Sequence, residues 1–172
     1  MERQILHVDV NNAFLSWTAV ERLKHGEKID IRTIPAAICG DENKRSGIIL
    51  AKSTLAKSVG VVTGETIYQA TKKCPNLTLF KPDFNAYREY SKALYNLLLE
   101  YTYKIERFSI DECFLDMTGF LMNDTLLSKA IEINRRVKEE LGFTVNVGVS
   151  ENKLLAKMAS DFTKPDKIHT LY

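Results

Sequence analysis

A chain of 172 residues is long enough for one sizeable core, or one core with a smaller subdomain. With 45% hydrophobic and 27% charged residues it has an ordinary globular composition, and no apolar run approaches the roughly 20 residues that a membrane span needs. A net charge of +2 neither demands nor excludes nucleic acid, and three scattered cysteines without CxxC spacing argue against structural disulfides and a zinc site, leaving a reducing cytoplasm as the default.

Met-Glu-Arg-Gln at the N-terminus runs straight into an apolar stretch and has no signal-peptide layout. That stretch, Ile5–Val10, reads as a buried strand holding one unusual acid, Asp9. Asn11 and Asn12 break the strand and stand ready to cap a helix over residues 13–24, where Phe14, Trp17, Val20 and Leu23 recur at helical spacing. Strands follow at 34–39 and 47–51, joined by a hairpin loop over 40–47. Short helices are expected at 52–59 and 66–73, the second stopped by Cys74-Pro75-Asn76, and then a brief strand at 77–81.

Residues 83–103 form the longest helical stretch, with Tyr87, Tyr90, Leu94, Leu97, Leu98 and Tyr101 as one apolar stripe suited to core packing. A hairpin over 104–118 carries the adjacent acids Asp111 and Glu112. Beyond them Cys113, Leu115 and Met117 alternate with Phe114, Asp116 and Thr118, the period of a half-buried strand. A second long helix is expected over 123–141, with Asp124 as N-cap and Gly142 beyond its end. A strand at 145–149 and a helix capped by Ser150 and running through Asp161 complete the order. Strand, helix, strand, strand, helix, strand, helix, joined by the first strand, is an α+β layout whose sheet carries two helices on one face.

Neighbouring acids repel one another unless water, protonation or a cation relieves them. Asp111 and Glu112 alone fit a solvated turn. Asp9 would make a third carboxylate if its strand neighbours the hairpin, and such a cluster suits two Mg²⁺ ions, with Mn²⁺ as a substitute.

Several blocks together carry a family resemblance over nearly the whole chain: Ile-Leu-His-Val-Asp-Val at 5–10, Ala-Lys-Ser at 51–53, Ala-Lys-Ser-Val-Gly-Val at 56–61, Ser-Ile-Asp-Glu at 109–112, and Val-Gly-Val-Ser-Glu-Asn-Lys at 147–153 with Ala156-Lys157 and Lys164-Pro165. In this order they resemble the Y-family translesion DNA polymerases. The resemblance implies an α+β palm (residues 1–12 and 82–172) with a mainly antiparallel sheet backed by helices. A small α/β fingers subdomain (13–81) is inserted after the first strand.

It implies further that Asp9, Asp111 and Glu112 are catalytic metal ligands, joined by the backbone carbonyl of Val10. Phe14 falls at the position of the steric gate that rejects a 2′-hydroxyl. Asn12, Ala13 and Phe14 would offer backbone N–H groups to a triphosphate, and Lys164 would touch its phosphates. Lys153 and Lys157, four apart on one helix face, either line a DNA phosphate path or face water. Thr54 and Lys57 stand where many members carry tyrosine and arginine, which weakens the expected nucleotide grip unless Lys52 compensates. Asn11 stands where many members have a second aspartate.

By the same resemblance the substrates are primer–template DNA and deoxynucleoside triphosphates, and a sliding clamp would join the full-length protein through other regions. No thumb or little-finger domain follows Tyr172, so the chain is expected to be an N-terminal fragment with weak primer extension by itself. Other readings are a different palm-type nucleotidyl transferase, such as a nucleotide cyclase, and a non-catalytic palm relic serving as an interaction module.

Overall fold

Six consecutive buried residues, Ile5–Val10, form strand β1. The computed structural model describes residues 2–40 and 47–172, so most of the hairpin loop expected at 40–47 lies outside the described residues. The chain divides into two compact units, Met1–Asn11 with Arg88–Tyr172, and Asn12–Tyr87.

In the first unit β1 is the central strand of five. It pairs antiparallel with β6 (Glu112–Asp116) on one side and β7 (Val145–Ser150) on the other, with β5 (Ile105–Arg107) and β8 (Ile168–Thr170) at the edges. Burial of all six β1 residues follows from this central place, since a strand with neighbours on both edges and cover on both faces has no wet side. The register puts Ile5, His7 and Asp9 on one face beside Phe114, Glu112, Gly148 and Asn146. The reverse face is Leu6, Val8, Val10, Cys113, Leu115, Val145, Val147 and Val149, all buried.

Helix α6 (Lys153–Ser160) lies on the His7–Asp9 face, where Ala156 packs with Ile5 and Phe114. Gly148 allows that approach, because a Cβ there would stand 1.8 Å from the Ala156 carbonyl oxygen. Helix α5 (Leu126–Arg136) packs against β7 and β8 and runs into a π-helical turn, Val137–Leu141, that ends at left-handed Gly142. The half-buried pattern expected for β6 does not hold: Phe114 is only 5% exposed. Its ring packs on His7 and Phe108 and lies beneath the Lys153 ammonium, which covers the side that alternation leaves wet.

Two helix caps in this unit differ from expectation. Thr125, not Asp124, caps α5 through a reciprocal bond with Ser128. Asn152, not Ser150, caps α6 by accepting from the Leu155 N–H, while Ser150 is the last residue of β7 and donates to the Leu171 carbonyl. In both cases the carbonyl or hydroxyl nearest the first turn wins over one further upstream.

The second unit is built on a three-stranded sheet, β3 (Ile49–Lys52), β2 (Ala36–Cys39) and β4 (Thr78–Phe80) in that order. β2 alternates strictly. Ala36 and Ile38 face Leu15 and Ala19 of α1 (Ala13–Lys24), and Ala37 and Cys39 pack with Ala56 of α2 (Thr54–Ser58) and Ala70 of α3 (Ile67–Lys73). Helix α4 (Phe84–Leu99) is shorter than expected, and the division between the units falls inside it. Its first turn belongs with α1: Tyr87 shares a hydrogen bond with Thr18 and stacks on Phe14, 4.7 Å between ring centroids.

Candidate active site

Pairing in the five-stranded sheet brings the sequence-predicted acids to one end of it. Asp9 is the direct partner of Glu112 across β1 and β6, and the Val10 N–H donates to the Asp111 carbonyl at 3.0 Å. Antiparallel partners share a sheet face, so the Asp9 and Glu112 side chains stand side by side. The Ser109–Asp111 turn is fixed from within. Ser109 Oγ donates to Asp111 Oδ1 at 2.6 Å, Ser91 of α4 donates to the Ile110 carbonyl, and Arg107 donates to Ser91 Oγ at 2.8 Å.

Each acid meets its own polar partner. Lys157 reaches Glu112 at 2.7 Å from α6, and Lys164 bonds Asp9 and also Asp161, the latter at 2.9 Å. Burial raises the Asp9 pKa above its ordinary value. Lys164 works against this, and the nearby Glu112 and Asp111 charges add to it. Burial depresses the Lys164 ammonium, but its bonds to Asp9 and Asp161 prevail and raise its pKa. No group of three or more His, Cys, Asp or Glu side chains among the described residues is disposed to hold a metal ion as it stands. The Asp9 and Glu112 carboxylates are turned to lysine ammoniums. Their donor chemistry nonetheless suits a hard divalent cation, since every candidate ligand is an oxygen.

Three residues that the sequence reading passed over help to hold this face. His7, fully buried, bonds Ser160 Oγ through Nδ1 at 2.7 Å, and its Nε2 lies 3.5 Å from Glu112 Oε2. Burial, then the Lys157 charge, lowers its pKa to about 4, so it is neutral at physiological pH. Ser160 at the end of α6 and Asn146 on β7, opposite Asp9, complete the set. Alternation within β1, His7 and Asp9 two apart, was the signal available in the sequence for His7. Nothing local marked Asn146. Asn11 is buried, and it turns to Thr144 and Asn146 rather than to a helix.

Not every candidate converges on the acids. Lys153 pairs with Glu106 at 2.6 Å, and Asp116 is held by Arg3 and by the Thr118 N–H. Residues of the second unit are placed within that unit. Asn12 sits at the N-cap position of α1 in the left-handed region, φ 48°, but its side chain donates to the Lys52 carbonyl instead of capping. Ala13 is buried, while Phe14 is half-buried, stacked on Tyr87 with Phe84 edge-on. Thr54 and Lys57 are exposed on α2, and Lys52 bonds Thr63. Burial, then the Lys57 charge, lowers the pKa of Lys52.

Comparison with known proteins bears on these arrangements. The impB/mucB/samB family profile, IMS, matches residues 8–161. The chain is 59% identical to DNA polymerase IV of Clostridium acetobutylicum over all of its own length and 43% of that protein's. It is 44% identical to DNA polymerase IV of Acetivibrio thermocellus, covering 98% of this chain and 41% of the relative. Among solved structures, a post-insertion binary complex of Dbh DNA polymerase superposes with a TM-score of 0.87 at 27% identity, over 98% of this chain and 48% of that one. DinB from Sulfolobus solfataricus gives 0.86 at 26% identity, again over 98% and 48%. The chain thus spans less than half the length of the curated relatives it matches.

Proposed function

The chain belongs to the impB/mucB/samB family and has the Y-family polymerase fold, and on that premise we propose that it is the N-terminal catalytic part of a lesion-bypass DNA polymerase. The observation that carries the proposal is the register that sets Asp9 against Glu112, with Asp111 tied to Val10 at the same sheet end. The reaction assigned is attack of a primer 3′-hydroxyl on the α-phosphate of a deoxynucleoside triphosphate, releasing pyrophosphate. The first unit is then the palm and the second the fingers.

Asp9, Asp111, Glu112 and the Val10 carbonyl are the oxygens that would hold Mg²⁺ or Mn²⁺. Divalent cations bound there would supply Lewis acidity to an attacking hydroxyl and charge neutralisation to a leaving phosphate oxygen. Ser109 keeps Asp111 in place. Lys157 and Lys164 occupy the carboxylates as counter-charges, which lets three acids sit together at tolerable cost before substrate arrives. Lys164 then offers its ammonium to the triphosphate. In the second unit Phe14, stiffened by Tyr87, is assigned as the sugar gate, and the first N–H groups of α1 are assigned to phosphate. Thr54 and Lys57 are exposed on α2 and available to the triphosphate, and Lys153 is assigned to DNA phosphate once Glu106 releases it. Primer–template DNA is the second substrate, and a sliding clamp is the partner proposed for the whole protein, which would work in the cytoplasm.

The test is Mg²⁺-dependent deoxynucleotide binding by calorimetry, with the chain and with an Asp111→Asn, Glu112→Gln variant. Binding that needs the cation and vanishes in the variant is expected. Equal binding by the two proteins, or none by either, would overturn the reading.

A further inference from the structure

Asn146 is an amide in a strand of valines. It is fully buried on β7, between Val145 and Val147, where an aliphatic side chain would fill the space without polar cost. All four of its hydrogen-bonding positions are used. Nδ2 donates to the Ser160 carbonyl at 2.8 Å and the Thr163 carbonyl at 2.7 Å, while Oδ1 accepts from the Lys167 N–H at 3.2 Å and from Asn11 Nδ2 at 3.0 Å. Three of the four partners lie on either side of Lys164.

Asn11 works on the same segment from the end of β1. Its Oδ1 accepts from the Asp166 N–H at 2.9 Å and from Thr144 Oγ1 at 2.9 Å. Asp166 has φ 58°, a left-handed backbone that a non-glycine residue keeps only when its surroundings hold it. They do: its carboxylate accepts from Asn134 at 3.1 Å and from Lys138 at 2.7 Å. Residues 160–167 are thereby bolted to the sheet beside Asp9, the register partner of Asn146.

We propose that Asn146, with Asn11, is a positioning residue that sets the Lys164 ammonium on Asp9 and so presents it to the triphosphate. The triphosphate half of this rests on the function proposed above; the placement half does not. The amide is suited to the task because it donates and accepts at once. A carboxylate could not donate to two carbonyls, and an alkyl group could do neither.

Two measurements on Asn146→Ala test it. Lysine acetylation read by mass spectrometry should show Lys164 reacting several-fold faster than in the parent chain, with Lys129, held by Asp124 and Glu132, unchanged as the internal control. Affinity for Mg²⁺-deoxynucleotide should fall about tenfold, the scale for groups that orient a ligand-binding side chain. The same substitution in a Lys164→Ala background should cost nothing further. A folded variant with unchanged Lys164 reactivity overturns the proposal, as do affinity losses that add in full. If Asn146→Ala does not fold, Asn11→Ala, which frees the Asp166 N–H, is read in the same way. If the parent chain binds no triphosphate, the functional reading fails while the acetylation arm still decides the placement.

Discussion

Gly148 and Cys113 show how single side chains decide what the site face is. A methyl group on Gly148 would meet backbone, the Ala156 carbonyl oxygen and the Ser160 N–H, and neither is free to move aside. Gly148→Ala is therefore expected to destabilise the fold by about 3 kcal/mol, read as a lower urea midpoint at unchanged slope. It should also loosen Lys157 from Glu112, since α6 would have to lift from the sheet. Cys113, on the reverse face next to Glu112, is only 4% exposed. Burial pushes its thiol up to about 11, with Arg107 opposing. The thiol should resist iodoacetamide at pH 7.5 in the native protein and react only on unfolding, as peptide mass mapping would show. The sign of the linkage follows. The folded value lies above the ordinary 9.0, so the contribution is intact below pH 9 and is lost as pH rises through about 11. Urea titrations across that interval should show the parent chain losing more stability than Cys113→Ala.

Among the elements, α6 has the most to answer for, because it carries Lys153 and Lys157 and its end is held by Asn146. Its N-terminus depends on Asn152, whose side chain accepts from the Leu155 N–H at 2.9 Å. Asn152→Ala is expected to cost about 1 kcal/mol by thermal or urea unfolding. Ser150→Ala should leave the helix start intact and act only through the lost bond to Leu171. That contrast separates the observed cap from the one that spacing suggested. The 310 turn Ile31–Thr33 offers a pH probe. Its Asp30 carboxylate accepts from Arg32, and that bond holds its pKa below the ordinary value despite partial burial. The carboxylate's contribution is therefore present above the ordinary pKa near 4 and is lost as pH falls below it. Asp30→Asn should flatten the acid limb of the stability curve.

At the scale of the whole molecule, the first unit is discontinuous in sequence. Its central strand comes from the N-terminus and everything else from residue 88 onward. Closing that gap costs loop entropy before any sheet contact forms, and β1 must be threaded between β6 and β7. Removing residues 2–11 is expected to abolish cooperative unfolding of this unit by circular dichroism, because the deletion takes out a wholly buried strand and leaves two unpaired edges. The two faces of the second unit's sheet have separate apolar clusters, each built from its own residues.

Much of this was legible in the linear order. The extent of α1, the apolar stripe of α4 and the isolation of Asp9 in an apolar strand follow from periodicity and from the cost of burying charge. The motif blocks named Asp9, Asp111 and Glu112 as a set, and the fold places them at one sheet end. What spacing could not supply is who answers each charge. Lys164 on Asp9, Lys157 on Glu112 and the Asn11–Asn146 pair join residues 45 to 155 positions apart. Caps shifted by a residue or two because local hydrogen bonds compete over fractions of an ångström that no periodicity encodes. The sequence by itself determined where the acids fall along β1 and the 104–118 hairpin, since strand character and alternation are local. Only the tertiary structure decided how their charge is balanced, because that depends on register and on the close seat of α6 over Gly148.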